Sequence, residues 1–196
     1  MHKFKDYYYG NNIIGVDEVG RGCLAGPVFA AAIKLDLKKF PIGINDSKKI
    51  NKKKRTELYE ILIKHCDYSI GVANVDEIEK LNILQASLLA MNRALKKFIN
   101  DKSIILVDGN FSPSNKKNIR TIIKGDQKCI SIAAASIIAK VSRDNLMKNL
   151  SVNFPNYDWE NNVGYGTKKH MEAIRKFGIT VHHRKTFSPI HNLLIN

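Results

Sequence analysis

Hydrophobic and polar positions along this chain divide it into short β-branched runs and longer stretches of helical period. Ile13-Ile14-Gly15-Val16 is apolar, ends in the adjacent carboxylates Asp17 and Glu18, and is followed by Gly20-Arg21-Gly22. It reads as a buried strand over about 13–17 whose exit carries charge. Val28 to Leu35 is a second strand, and the short connection makes it an antiparallel neighbour. Pro41 and Gly43 then break the chain. Between Asn45-Asp46-Ser47-Lys48-Lys49 and His65, Leu58, Ile61 and Leu62 recur at helical spacing, which predicts a surface helix with a strongly basic opening. Asp67 to Val75 alternates as a third strand. A helical region follows, with Ile83, Leu84, Leu88, Met91, Leu95 and Phe98 on its buried face.

The second half repeats the opening pattern. Ser103 to Val107 is an apolar run that ends in Asp108 and Gly109. Because it follows a long helix, a right-handed crossover would lay it parallel to an earlier strand. Ile119 to Lys124 is a short strand. From Cys129 to Leu150, Ile130, Ala133, Ala134, Ile137, Ile138 and Val141 form a small-residue helical face able to pack close against a sheet. After Pro155 come Gly164-Tyr165-Gly166, a short helix to Phe177, and His182-His183-Arg184-Lys185.

These elements put charge where α/β sheets bind ligands, outside the carboxyl ends of the strands. Asp17 and Glu18 could be a solvated turn, yet Gly20 and Gly22 around Arg21 allow backbone N–H groups to approach a phosphate closely. Carboxylates beside a phosphate cradle would repel the ligand unless a divalent cation lies between them. Two parallel strands ending in acids would set Asp108 beside Asp17 and Glu18; alone, Asp108 is equally a strand-to-turn residue. Asp126, just before a helix, reads on its own as a helix-start carboxylate, and Asp144 as a surface partner of Lys140 or Arg143. Tyr165 either stacks on a base or sugar or anchors its loop by packing. The adjacent His182 and His183 are poorly placed to share one metal and read as structural or phosphate-facing.

Composition changes this picture through charge. The chain has 196 residues, enough for one domain with a sizeable core. Its 32 Lys and Arg against 18 Asp and Glu give a formal net charge of +14, clustered at sites such as Lys52-Lys53-Lys54-Arg55 and Lys168-Lys169. That favours a polyanion partner, nucleic acid ahead of membrane; the alternative is a lysine-rich, solvated surface. Cys23, Cys66 and Cys129 are widely spaced with no Cys-x-x-Cys pair, which argues against a disulfide framework or zinc site. No run approaches the ~20 apolar residues of a membrane span, and the first residues lack a signal-peptide core. The expectation is a monomeric cytoplasmic protein that does not act at membranes.

The motifs then add up to a resemblance. Val16-Asp17-Glu18-Val19-Gly20-Arg21-Gly22, Asn45-Asp46-Ser47-Lys48-Lys49, Leu81-Asn82-Ile83-Leu84, Val107-Asp108-Gly109-Asn110, Lys124-Gly125-Asp126, the segment from Ile132 to Asp144, Gly164-Tyr165 and His183-Arg184 resemble, in order, the motifs of bacterial ribonuclease HII. The resemblance covers about 12–189. It implies a ribonuclease H-like α/β fold with a mixed five-stranded sheet flanked by helices. It further implies a core over about 12–150 and a small C-terminal helical extension over about 151–196 that walls the substrate groove. Four metal-binding catalytic carboxylates fall on Asp17, Glu18, Asp108 and Asp126, so Asp126 changes role.

The same resemblance implies two Mn2+ or Mg2+ ions and hydrolysis of the RNA strand of RNA–DNA hybrids. It implies a cut on the 5′ side of single ribonucleotides in duplex DNA, leaving 3′-hydroxyl and 5′-phosphate ends. Gly20, Arg21, Gly22 and Tyr165 would sense the 2′-hydroxyl at the junction, and Lys48, Lys49, Lys168 and Arg184 are the expected phosphate contacts. Cys23 stands where proline is usual, and Gln127 and Cys129 where serines are common. Ribonuclease HIII shares much of the motif set but resembles a longer protein with an N-terminal substrate-binding domain. A catalytically silent nucleic-acid-binding module is a further alternative, one that intact metal ligands disfavour.

Overall fold

The computed structural model describes Gly10 and residues 12–36 and 50–195. Strand β1 (Asn12–Val19) runs through the centre of a five-stranded sheet of order β3-β2-β1-β4-β5. Strands β2 (Val28–Asp36) and β3 (Asp67–Ala73) continue it as an antiparallel meander. On the other side, β4 (Ile104–Asp108) pairs parallel with β1, and β5 (Ile119–Ile122) pairs parallel with β4. The antiparallel β1–β2 pair and the parallel return at β4 are both as the hydrophobic pattern predicts.

Strand alternation sends successive side chains to opposite faces. Ile13 packs with helices α1 (Lys52–His65) and α4 (Ile130–Asn153), through Leu58, Leu62, Ile132 and Ile138 among others. Ile14 and Val16 pack on the opposite face with α2 (Val75–Leu81) and α3 (Ile83–Leu95), through Ile78, Ala86, Ala90 and Met91. Gly15 lies on the α4 side, where a Cβ would stand 2.1 Å from the Ser131 carbonyl carbon. Only glycine lets that helix approach β1 so closely. Asp17 follows in the same period and emerges under α4.

The sequence pattern predicts one helical region from Val75 onward; the structure divides it into α2 and α3. Asn82 is the break: its φ is +69°, and its side chain accepts from Leu84 N at 3.0 Å and Gln85 N at 3.1 Å. Asparagine tolerates that backbone and caps the new helix in one step.

Residues beyond α4 build a third core. Helices α5 (Trp159–Asn162), α6 (Lys168–Phe177) and α7 (Ser188–Ile195) contribute Trp159, Ala173, Ile174 and Ile190, which pack with Met147 of α4 and with Leu24 and Ala25. Backbone bonds seat the segment after Gly22 against this extension: Leu24 N to Gly164 O, Gly26 N to His182 O and Arg184 N to Leu24 O, each 2.8 Å. No helix among the described residues is long and apolar enough to cross a membrane.

Candidate metal centre and nucleic-acid cleft

The carboxyl ends of β1 and β4 meet in a cleft of about 350 Å3, lined by Asp17, Glu18, Asp108, Gly20, Arg21, Gly22, Arg55, Ser136, Lys140 and Tyr165. Asp17, Glu18 and Asp108 each offer a carboxylate oxygen, and the three oxygens lie within 4.8 Å of one another. Asp17 is buried, and its Oδ1 accepts from Glu18 N at 2.8 Å. Burial raises its pKa well above the usual carboxylate range, the Glu18 and Asp108 charges raise it further, and a hydrogen bond with Ser136 opposes them. Glu18 is also shifted upward, chiefly by burial, with Arg21 pulling the other way. Arg21 Nη1 donates to Glu18 Oε1 at 3.1 Å, while Glu18 Oε2 is buried without a hydrogen-bond partner among the described residues.

Three acids with oxygen ligands only, two of them shifted toward protonation and one oxygen left unbonded, form a donor set suited to a hard divalent cation. A bound cation would remove the mutual repulsion and give the unbonded oxygen a partner.

The fourth expected carboxylate is close by but outside this trio. Asp126 is buried in a 3-10 turn, Gly125–Gln127, directly ahead of α4. Gly125 N donates to Asp108 Oδ1 at 2.6 Å, fixing the turn to the end of β4.

Gly20, Arg21 and Gly22 form the rim beside Tyr165. Gly20 has a φ of +94°, and a Cβ there would sit 2.2 Å from Arg143 Nε. A Cβ on Gly22 would be 3.9 Å from Tyr165 Cε1, an ordinary van der Waals distance, so turn and ring lie side by side along the cleft. Tyr165 is 43% exposed, more than a packing anchor needs.

The expected phosphate contacts separate. Lys168 is on the surface, its side chain 92% exposed and its Nζ 4.0 Å from Glu172 Oε1. Arg184 overturns its expectation: it is fully buried, donating to Gly20 O, Arg21 O and Gly26 O, and is not a surface phosphate ligand. Lys48 and Lys49 lie outside the described residues. Asp144 pairs with Lys140 at 2.9 Å, one of its two expected partners. Arg143 is instead buried, donating to Pro27 O, Ala25 O and Val163 O. His183 is buried too, so of its two readings the structural one holds.

Sequence reasoning missed three cleft residues, Ser136, Lys140 and Arg55. Ser136 and Lys140 are four apart on α4 and so share a helical face, a polar stripe beside the apolar one. Arg55 closes the basic run at the start of α1.

Clustered carboxylates at the ends of the central parallel strands of a mixed five-stranded sheet form a donor set suited to metal-dependent phosphate chemistry. The ribonuclease HII family profile matches residues 14–190. Ribonuclease HII of Pelagibacter ubique is 54% identical over 183 residues, covering 93% of this chain and 98% of that protein. The Roseobacter denitrificans ribonuclease HII is 50% identical over 184 residues, covering 93% and 92%. Among solved structures, ribonuclease H2 from Pyrococcus horikoshii OT3 superposes with a TM-score of 0.76 at 25% identity, covering 93% of this chain and 96% of that one. Bst-RNase HIII in complex with Mn2+ has the same fold, with a TM-score of 0.77 at 21% identity over 96% of this chain and 71% of that one. This chain belongs to the ribonuclease HII family and is a ribonuclease H, an endonuclease of the hydrolase class.

Proposed function

We propose that this enzyme hydrolyses the RNA strand of RNA–DNA hybrids and cuts on the 5′ side of single ribonucleotides embedded in duplex DNA, leaving 3′-hydroxyl and 5′-phosphate ends. The observation that carries this reading is the convergence of Asp17, Glu18 and Asp108 within 4.8 Å in a cleft that Gly20-Arg21-Gly22 and Tyr165 also line.

Asp17, Glu18 and Asp108, joined by Asp126, would hold two divalent cations, Mn2+ or Mg2+. Cations so held supply Lewis-acid charge for the scissile phosphate, an acidified water and support for the leaving 3′-oxygen. The chain's own groups do the rest. Ser136 and the Glu18 amide fix the Asp17 carboxylate, and the Gly125 amide fixes Asp108. Arg21 neutralises one oxygen of Glu18. Lys140 and Arg55 place positive charge in the cleft, where a nucleic-acid backbone would lie.

Selection rests on the rim. The small Gly20-Arg21-Gly22 turn offers its amides to a sugar and phosphate, and the adjacent Tyr165 ring stacks on the same sugar, so that its 2′-hydroxyl is read directly. The extension that carries Tyr165 and Lys168 forms one wall of the groove, in a chain acting as a monomer on nucleic acid.

The test is cleavage of a DNA duplex with one ribonucleotide beside a continuous RNA–DNA hybrid, with the ends mapped. The reading expects a cut on the 5′ side of the ribonucleotide that leaves a 3′-hydroxyl. It also expects Tyr165→Ala to lose far more activity on the single ribonucleotide than on the hybrid. Cleavage confined to the hybrid would remove junction sensing from the account.

A further inference from the structure

Two anchors hold the two halves of the rim, and both lead to the dipeptide His183-Arg184. Arg184 reaches the turn: its Nη2 donates to Gly20 O at 2.6 Å, its Nη1 to Arg21 O at 2.9 Å, and its Nε and Nη2 to Gly26 O at 2.9 and 2.7 Å. In a planar trans peptide the N–H points opposite to the C=O. Fixing the Gly20 and Arg21 carbonyls on the buried guanidinium therefore turns the Arg21 and Gly22 amides the other way, where both residues are exposed.

His183 reaches the tyrosine through His170, and the hydrogen-bond donors define both rings. Thr180 N donates to His183 Nδ1 at 2.9 Å, so the neutral His183 carries its proton on Nε2. Trp159 Nε1 donates to His170 Nε2 at 3.0 Å, so His170 carries its proton on Nδ1. His183 Nε2 thus donates to His170 Nε2 at 3.1 Å, and His170 Nδ1 donates to Tyr165 O at 2.8 Å. Thr167 N donates to the same carbonyl at 2.8 Å. The relay is sealed among Tyr157, Trp159 and Phe154.

We propose that His183-Arg184, with His170, is the positioning device for junction selectivity: Arg184 sets the Gly20-Arg21-Gly22 amides, and the His183–His170 relay sets Tyr165 at the matching distance. The inference rests on the reading of the turn and Tyr165 as the 2′-hydroxyl sensor. It explains why an arginine in a basic, nucleic-acid-binding chain is withdrawn from the surface and spent on backbone carbonyls. None of the three residues is a catalytic residue; each acts through the rim.

The test compares kcat and KM on the single-ribonucleotide duplex and on the continuous hybrid, with melting curves to confirm folding. Arg184→Lys keeps the charge but loses the fork. His170→Gln places an amide near the ring's Nε2 and loses the donor to Tyr165; His170→Asn places one near Nδ1 and keeps that donor. For Arg184→Lys and His170→Gln, kcat/KM on the single-ribonucleotide duplex falls about tenfold or more relative to the hybrid, below the roughly hundredfold that a 1 Å misplacement can cost. His170→Asn stays nearer the parent ratio. In a Tyr165→Ala background, His170→Gln adds no further change in ratio, because coupled residues are not additive.

Equal losses on both substrates for Arg184→Lys and His170→Gln, while Tyr165→Ala alone still shifts the ratio, would overturn the inference and leave the sensor standing. If Tyr165→Ala shifts no ratio, the sensor reading and the positioning built on it fall together.

Discussion

Asp17 and Asp108 follow Val16 and Val107, which face each other across the parallel β1–β4 pair, so the two carboxylates leave the sheet side by side. Both continue the alternation that puts Ile13 and Leu106 in the core with α4, so they emerge on the same face, where Asp17 hydrogen-bonds with Ser136. The site is therefore built by strand register, and α4 lowers the solvent exposure that the acids would otherwise have.

Replacing Asp17 separates function from stability. A carboxyl whose folded pKa is raised takes up a proton more readily in the native state. Its ionised form then costs stability at neutral pH, and the cost disappears as pH falls through the raised pKa. Asp17→Asn removes that cost. Cleavage should fall by at least about 100-fold, the scale of losing one transition-state stabiliser, with substrate binding still measurable. Melting of the metal-free variant should rise by roughly 2–4 °C, the response to about 1 kcal/mol in a chain of this size. Lower melting with cleavage intact would make Asp17 structural.

Asp126 lies outside the close trio but is tied to it through Gly125. Asp126→Asn should leave Mn2+ binding by the other three measurable and reduce kcat about tenfold or more, as expected for loss of one of two cooperating ions. Unchanged kcat would return Asp126 to a helix-start role.

The extension should respond to acid. Burial holds the His183 pKa down at about 4, against an ordinary 6.5, with the neighbouring His170 and His182 adding to the effect. Above pH 6.5 the folded and unfolded states are both neutral at this residue and its contribution is complete. As pH falls from 6.5 toward 4, only the unfolded chain takes up the proton, so stability is lost. At pH 5 the loss is about 2 kcal/mol, or roughly 4–8 °C in melting temperature. His183→Asn should lose less stability than the parent between pH 7 and pH 5; the same loss in both proteins would contradict it.

Lys168 and Arg184 show what was legible in the sequence and what was not. Residue type and period were enough to find β1, β4 and their terminal acids, because those signals are local. Whether a cation faces solvent or carbonyls is decided by partners far away: Arg184 bonds Gly20 and Gly26, 164 and 158 residues upstream. Arg143 likewise reaches Pro27, 116 residues away. The α2–α3 break escaped for a different reason: Val75, Ile78, Ala86 and Ala90 keep near-helical spacing across Asn82, and the left-handed φ there leaves no mark on the hydrophobic pattern.

The exposed lysine carries its own prediction. Lys168→Ala should weaken binding alike on hybrid and embedded-ribonucleotide substrates and reduce the salt slope of log K by about 1, as for one lost phosphate contact. An unchanged slope would place Lys168 off the nucleic acid.

The central claim, that Asp17, Glu18 and Asp108 form a divalent-cation site, is tested most directly by calorimetric titration of Mn2+ into the free protein and into Asp17→Asn. The account predicts binding to the parent, suppressed by acid because the raised carboxyl pKa values let protons compete, and loss of that binding in Asp17→Asn. Equal Mn2+ binding by both proteins would contradict it.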